Sequence, residues 1–136
     1  MEQHGGEPRR ITIHRPEDFA GMRRAGRLAA ETLDMIASHI RPGVTTGEID
    51  RLCHDFMVEH GAVPATLGYR GYTKSSCTSV NHVVCHGIPG DRVLMDGDIV
   101  NIDVTVILDG WYGDTSRMYL AGAPSTKARL LMDVTY

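Results

Sequence analysis

Two aspartates, Asp103 and Asp114, interrupt the apolar runs of residues 98–119, which also hold Asp98 at the start and Asp109 midway. A carboxylate set among aliphatic side chains needs a partner, because ionised groups are seldom left unpaired away from water. Between Ile99 and Leu108 the odd positions hold Ile99, Asn101, Asp103, Thr105 and Ile107, and the even ones Val100, Ile102, Val104, Val106 and Leu108. That alternation predicts a strand with one aliphatic face and one face carrying every polar group. Asp109-Gly110 suits a two-residue turn, since both residues tolerate positive φ, and a second strand is expected from Trp111 to Leu120. Pairing Leu108 with Trp111 sets Asp114 opposite Thr105 and Ser116 opposite Asp103. The aspartates then lie diagonally on one face, with Cβ atoms roughly 7–8 Å apart. Carboxylates so placed can converge on cations ~3.5–4 Å from each other, the arrangement of two-metal hydrolases. A solvated face is the plainer reading of one strand aspartate. Two on one face, framed by Asn101, Thr105 and Ser116 between aliphatic positions, favour a buried polar site.

Several elements must position this hairpin. From residue 16 to about residue 40, Met22, Ala25, Leu28, Ala29, Leu33, Ile36 and Ile40 recur at helical spacing, with Glu17 and Asp18 in the first turn and Arg41-Pro42-Gly43 as a stop. Thr45-Thr-Gly-Glu48 is a capping box that opens a second helix, with Ile49, Leu52, Cys53 and Phe56 on its apolar face and an end at His60-Gly61. Cys53 reads as a core thiol beside an exposed His54. Residues 62–97 carry Gly, Pro, Ser and Thr in short runs and predict strands and loops. His82 and His86 fall in this region. On an extended segment their rings would be about 13 Å apart, too far to share a metal. His86 precedes Gly-Ile-Pro, where the backbone must turn, and is better placed than His82 to enter a cleft; a plain loop histidine is the alternative. Ser125 caps a last helical run through Tyr136, while residues 1–15 read as a tail with a short edge strand at residues 11–13.

The composition narrows the function classes. At 136 residues and 42% hydrophobic content the chain is one domain or part of one, and a net charge of −3 gives no signal for nucleic-acid or membrane binding. Cys53, Cys77 and Cys85 form no C-x-x-C pair, which disfavours a disulfide framework and a closed zinc site built from these cysteines and the histidines. No stretch approaches the ~20 apolar residues of a membrane span, so a cytoplasmic protein is expected.

Three segments together carry a resemblance: Asn81-His-Val-Val-Cys-His-Gly-Ile-Pro89, Asp98-Ile-Val-Asn-Ile-Asp103 and Asp109-Gly-Trp-Tyr-Gly-Asp114-Thr-Ser-Arg-Met-Tyr119. The chain closely resembles the type I methionine aminopeptidases of bacteria over roughly residues 12–136, with Cys-His-Gly-Ile-Pro and Tyr69-Arg-Gly-Tyr72 marking that subgroup. The resemblance implies the α/β pita-bread fold, in which two similar halves enclose two divalent ions (Co, Mn, Fe, Ni or Zn) and N-terminal methionine is removed from new polypeptides. It implies that Asp103 and Asp114 are metal ligands, with Asp114 bridging, and that His86 is the catalytic residue that hydrogen-bonds substrate beside the scissile amide. Tyr69, Tyr72 and Cys77 are expected to wall the methionine pocket, with Thr66 where some relatives carry cysteine. Expected partners are the N-terminal methionine of nascent chains and the ribosome. After Asp114 the sequence has no His and no Glu, whereas the family's second half supplies one His and two Glu ligands. Residues 16–136 are therefore expected to form the N-terminal half of such a domain, inactive alone. A non-catalytic peptide-binding module on the same half-fold is the alternative.

Overall fold

The computed structural model describes residues 11–136, and the expected tail falls largely outside them. Ile11 and Ile13 are 85% and 83% exposed and join no strand, so the expected edge strand is not formed. The first helix, α1, runs Phe19–Ala37, shorter at both ends than its periodicity suggests. Its start is delayed because the Asp18 carboxylate accepts from the Arg15 N–H at 2.8 Å, tying up a turn ahead of the helix rather than capping it. Ala25, Leu28, Ala29, Leu33 and Ile36 are buried, whereas Met22 is 50% exposed and lies off the packed stripe. The second helix, α2, is Thr46–Glu59; Thr45 accepts from the Glu48 N–H at 3.1 Å. The Glu48 carboxylate turns to Arg51 instead of closing the capping box. His54 is half-buried rather than exposed, with Nδ1 2.8 Å from the Ser75 hydroxyl.

Four strands follow: β1 (Val63–Pro64), β2 (Cys77–Val80), β3 (Ile99–Leu108) and β4 (Trp111–Leu120). The hairpin forms in the expected register, Leu108 opposite Trp111, Thr105 opposite Asp114 and Asp103 opposite Ser116. Asp109 and Gly110 both take positive φ, 50° and 80°, the backbone a two-residue hairpin turn requires. Strands β1 and β2 share the other edge of β3, antiparallel to it: β2 covers residues 100–103 and β1 residues 106–107. A last helix, α3 (Thr126–Thr135), is capped by Ser125 and buries no side chain.

One face of the sheet is covered by helices. Val100, Ile102, Val104 and Val106 pack with the buried residues of α1 and with Ile49, Cys53 and Met57 of α2. Burial of each such large aliphatic side chain contributes ~1.5–3 kcal/mol, so this face holds the hairpin to the helices. Burial also pushes the Cys53 thiol up to about 12, as expected of a core cysteine. The opposite face carries Asn101, Asp103, Thr105 and Asp114. Between β1 and β2 the chain leaves the sheet as residues 65–76 and folds back beside that polar face.

Candidate active site

Leaving the edge of β3 is what makes the cavity. Ala65 still donates to the Thr105 carbonyl at 2.8 Å, and from there the chain bends through a single 3-10 turn, Tyr69–Gly71, before entering β2. The space between this excursion and the sheet is about 720 Å³, lined by Thr66, Tyr69, Arg70, Tyr72, Cys77, His86, Asp103, Thr105, Tyr112 and Asp114 among others. Asp103, Asp114, His86, Tyr69, Tyr72, Cys77 and Thr66, singled out from the sequence, thus line one cavity; exposed His82 does not.

Asp103 is half-buried, and burial raises its pKa, helped by the negative charge of Asp114 and opposed by His86. Asp114 accepts from the Thr105 hydroxyl at 2.7 Å, the cross-strand contact that orients it. Among the described residues neither carboxylate forms an ion pair with a side-chain cation. Two carboxylates lining one cavity, one with its proton affinity raised by burial and by the other, are oxygen donors of the kind a hard divalent cation takes. No group of three or more His, Cys, Asp or Glu side chains able to hold a metal occurs among the described residues.

The far wall is positioned from outside the cavity. Asp50 of α2, buried, accepts with one oxygen from the Ser75 N–H at 3.0 Å, the Ser76 N–H at 2.8 Å and the Ser76 hydroxyl at 2.7 Å. Ser76 in turn offers its carbonyl to the Tyr72 hydroxyl at 2.8 Å, and that hydroxyl also lies 3.5 Å from Cys77 Sγ. Burial raises the pKa of both Tyr72 and Cys77, so both face the cavity uncharged at neutral pH. Asp50→Ala would leave two buried N–H groups without an acceptor and is expected to cost at least ~2 kcal/mol, while Asp50→Asn keeps an acceptor and should cost less. Urea unfolding of the two variants checks this; equal losses would mean the carboxamide cannot substitute.

On its other side the cavity meets the loop after β2. Asn81 takes a positive φ of 53°, donates to Asp98 Oδ1 at 2.8 Å and accepts from the Ile99 N–H at 3.1 Å. Gly87 donates to the Ser79 hydroxyl at 3.1 Å, and its carbonyl accepts from the Thr78 N–H at 2.8 Å. His86, itself at φ 55°, is held between these anchors. Burial works to raise the Asp98 pKa, but the Met95 N–H, the Asn81 amide and the Arg92 charge outweigh it and hold the carboxyl below its ordinary value. Sequence reasoning overlooked Asp50, whose partners are distant in the chain, and left Arg70 and Tyr112 without a role. Tyr112 had a signal: it shares the strand parity of Asp114.

The sequence pattern of metallopeptidase family M24 matches residues 20–136. The chain belongs to metallopeptidase family M24. This M24 chain is 62% identical over 126 residues to the methionine aminopeptidase of Rickettsia prowazekii, which is 93% of this chain and 49% of that relative. It is 58% identical over 127 residues to the methionine aminopeptidase of Escherichia coli strain K12, covering 92% of this chain and 48% of the relative. The crystal structure of methionine aminopeptidase from Rickettsia prowazekii superposes with a TM-score of 0.91 at 61% identity, over 93% of this chain and 51% of that one. The resemblance read from the motifs therefore extends along most of the M24 chain, and the α/β architecture is that of the pita-bread fold. The chain spans about half the length of the curated relatives it matches. Among the described residues no helix is long and apolar enough to cross a membrane.

Proposed function

We propose that this chain contributes the substrate pocket and two metal-binding carboxylates to a methionine aminopeptidase of the cytoplasm, which removes N-terminal methionine from new polypeptides by two-metal hydrolysis. The observation that carries the reading is the cavity itself, where Asp103 and Asp114 meet His86 and the Tyr69–Tyr72–Cys77 wall. High identity to proteins named methionine aminopeptidase supports it.

Asp103 and Asp114 would hold the cations, with the remaining ligands coming from polypeptide outside these 136 residues; residues 16–136 thus form the first half of the M24 domain. Bound divalent ions supply Lewis acidity and lower the pKa of water to the neutral range. Their identity follows availability, since carboxylate and imidazole ligands accept Mn, Fe, Co, Ni or Zn. Everything else is done by side chains present here. Tyr69, Tyr72 and Cys77 receive the methionine side chain, a thioether that packs well against aromatic rings. His86 hydrogen-bonds the substrate beside the scissile amide, and Thr105 orients Asp114 through its hydroxyl. The ribosome, where new N-termini emerge, is the expected meeting place with substrate.

Co-expression with the remaining half of the Rickettsia prowazekii relative tests this reading. The pair is expected to release methionine from Met-Ala-Ser in the presence of Mn²⁺ or Co²⁺, and the 136-residue chain alone to show neither that activity nor metal retained after dialysis. Within the active pair, His86→Ala should lower the rate ~10²-fold or more while metal content stays unchanged, the scale for losing a positioned acid, base or polarising group. Metal loss in that variant would place His86 among the ligands. A second reading, a peptide-binding module without catalysis, is favoured by the incomplete ligand set of the described residues. An assembled pair that binds Met peptides without cleaving them would establish it.

A further inference from the structure

Arg70, like Tyr112, lines the cavity with no role in the chemistry above, and like His86 it has an unusual backbone. It sits at φ 48°, ψ 35°, in the left-handed region that a side chain such as arginine rarely adopts. Gly68 and Gly71 on either side also take positive φ, both 85°. The turn is pinned by Gly68 N–H donating to the Tyr72 carbonyl at 2.7 Å and Tyr72 N–H donating to the Tyr69 carbonyl at 2.9 Å. A non-glycine residue held in this conformation by its surroundings is characteristic of ligand clamps. The Arg70 guanidinium carbon lies 5.4 Å from the centre of the Tyr69 ring, and both residues line the cavity. Arg15, Arg24, Arg51, Arg92 and Arg117 each have a carboxylate partner, whereas Arg23, Arg27, Arg41 and Arg129, none of which lines the cavity, share the lack of one among the described residues. No ion pair of Arg70 is present among the described residues, although Asp103 and Asp114 line the same cavity.

The cavity is therefore bipolar, with two carboxylates on the sheet and one guanidinium on the opposing turn. We propose that Arg70 is a specificity-determining residue that receives a carboxylate of the peptide downstream of its N-terminal methionine. An acidic side chain and the C-terminal carboxylate of a short peptide share that chemistry. The planar fork of arginine suits either, and the Tyr69 ring limits how many positions the fork can take. The inference rests on the reading of the cavity as a site for peptide N-termini and adds the class of peptide it prefers.

The test is titration of the metal-free pair assembled with the remaining half of the Rickettsia prowazekii relative, followed by NMR shifts of the Tyr72 and Thr105 amides, with four peptides: Met-Ala-Ser-amide, Met-Ala-Asp-amide, Met-Ala-Lys-amide and Met-Ala-Ser with a free carboxylate. At low salt the two anionic peptides are expected to bind about two- to five-fold more tightly than the neutral one, the scale of an exposed ion pair, and Met-Ala-Lys-amide more weakly. A gain for the aspartyl peptide alone identifies the acidic side chain as the ligand, and a gain for the free acid alone identifies the terminus. The preference should collapse in Arg70→Gln, invert in Arg70→Glu and fade at high salt. Equal affinities for anionic and neutral peptides in the wild-type pair, or a preference that survives Arg70→Gln, overturns the assignment while leaving the pocket reading intact. Failure of all four peptides to shift either amide overturns both.

Discussion

Asp114→Asn is expected to lower the affinity of the site for Mn²⁺ or Co²⁺ by about 100-fold or more. Loss of a hydrogen-bonding partner behind a metal ligand already costs about 10- to 100-fold, and Asp114 is proposed as a ligand itself. An amide keeps the shape and can still accept from Thr105, but it removes the negative charge that shares the site with Asp103. A second effect follows on Asp103. Burial raises its pKa first, and the Asp114 charge raises it further, so the substitution should bring the Asp103 pKa down. The sign for stability is set by the raised value: between its unfolded and folded pKa, Asp103 binds more protons in the folded chain, so metal-free stability falls as pH rises through that window. Asp114→Asn should flatten that fall. Calorimetric titration of Mn²⁺ into the pair assembled with the remaining half, and carbon NMR titration of the Asp103 carboxyl, measure the two effects. Unchanged Mn²⁺ affinity would take Asp114 out of the ligand set.

Gly113→Ala should destabilise the chain by about 2–3 kcal/mol, at the upper end of ordinary overpacking. A β-carbon at this position would run into the Ala25 carbonyl oxygen and stand 2.6 Å from the Gly26 nitrogen, both backbone atoms of α1. Neither can swing aside as a side-chain tip would. Helix α1 is held in place by Leu28, Leu33 and Ile36, and the buried Tyr119 hydroxyl of β4 donates to the Leu33 carbonyl at 2.6 Å. The accommodation must come from β4, and Asp114 is the next residue along it. The expected signature is a lower urea midpoint together with shifted amide resonances at Thr105 and Asp114. An unchanged midpoint would mean that α1 and β4 do not approach this closely in solution.

The hairpin was legible from sequence because its information is local. Alternation from Ile99 to Leu108 assigns faces, the Asp109-Gly110 pair sets the turn, and the turn sets the register that places Asp103 and Asp114 on one side. The stripe from Ala25 to Ile36 identified α1 for the same reason, and the segments Asn81–Pro89, Asp98–Asp103 and Asp109–Tyr119 together carried the family resemblance. Helix ends were less legible, because an exposed Met22 keeps the period without being packed and the Asp18 carboxylate turns back to Arg15.

Only the tertiary structure decided what surrounds the two aspartates. Residues 65–76 have no periodicity, and their path follows from β1 and β2 sharing one edge of β3 while the chain between them must leave the sheet. That excursion brings Tyr69, Arg70 and Tyr72 over Asp103. Asp50 looked like a polar helix residue, and its role came from Ser75 and Ser76, far along the chain, which need an acceptor once α2 has buried them. Arg70 carried no periodic or capping signal, and it joins the cavity lining because a pinned turn, with Gly68 and Gly71 at positive φ, carries it beside the sheet. Short-range steric and hydrophobic rules determine which residues share a face. Which faces then meet depends on long-range packing and on hydrogen-bond partners that no local window contains.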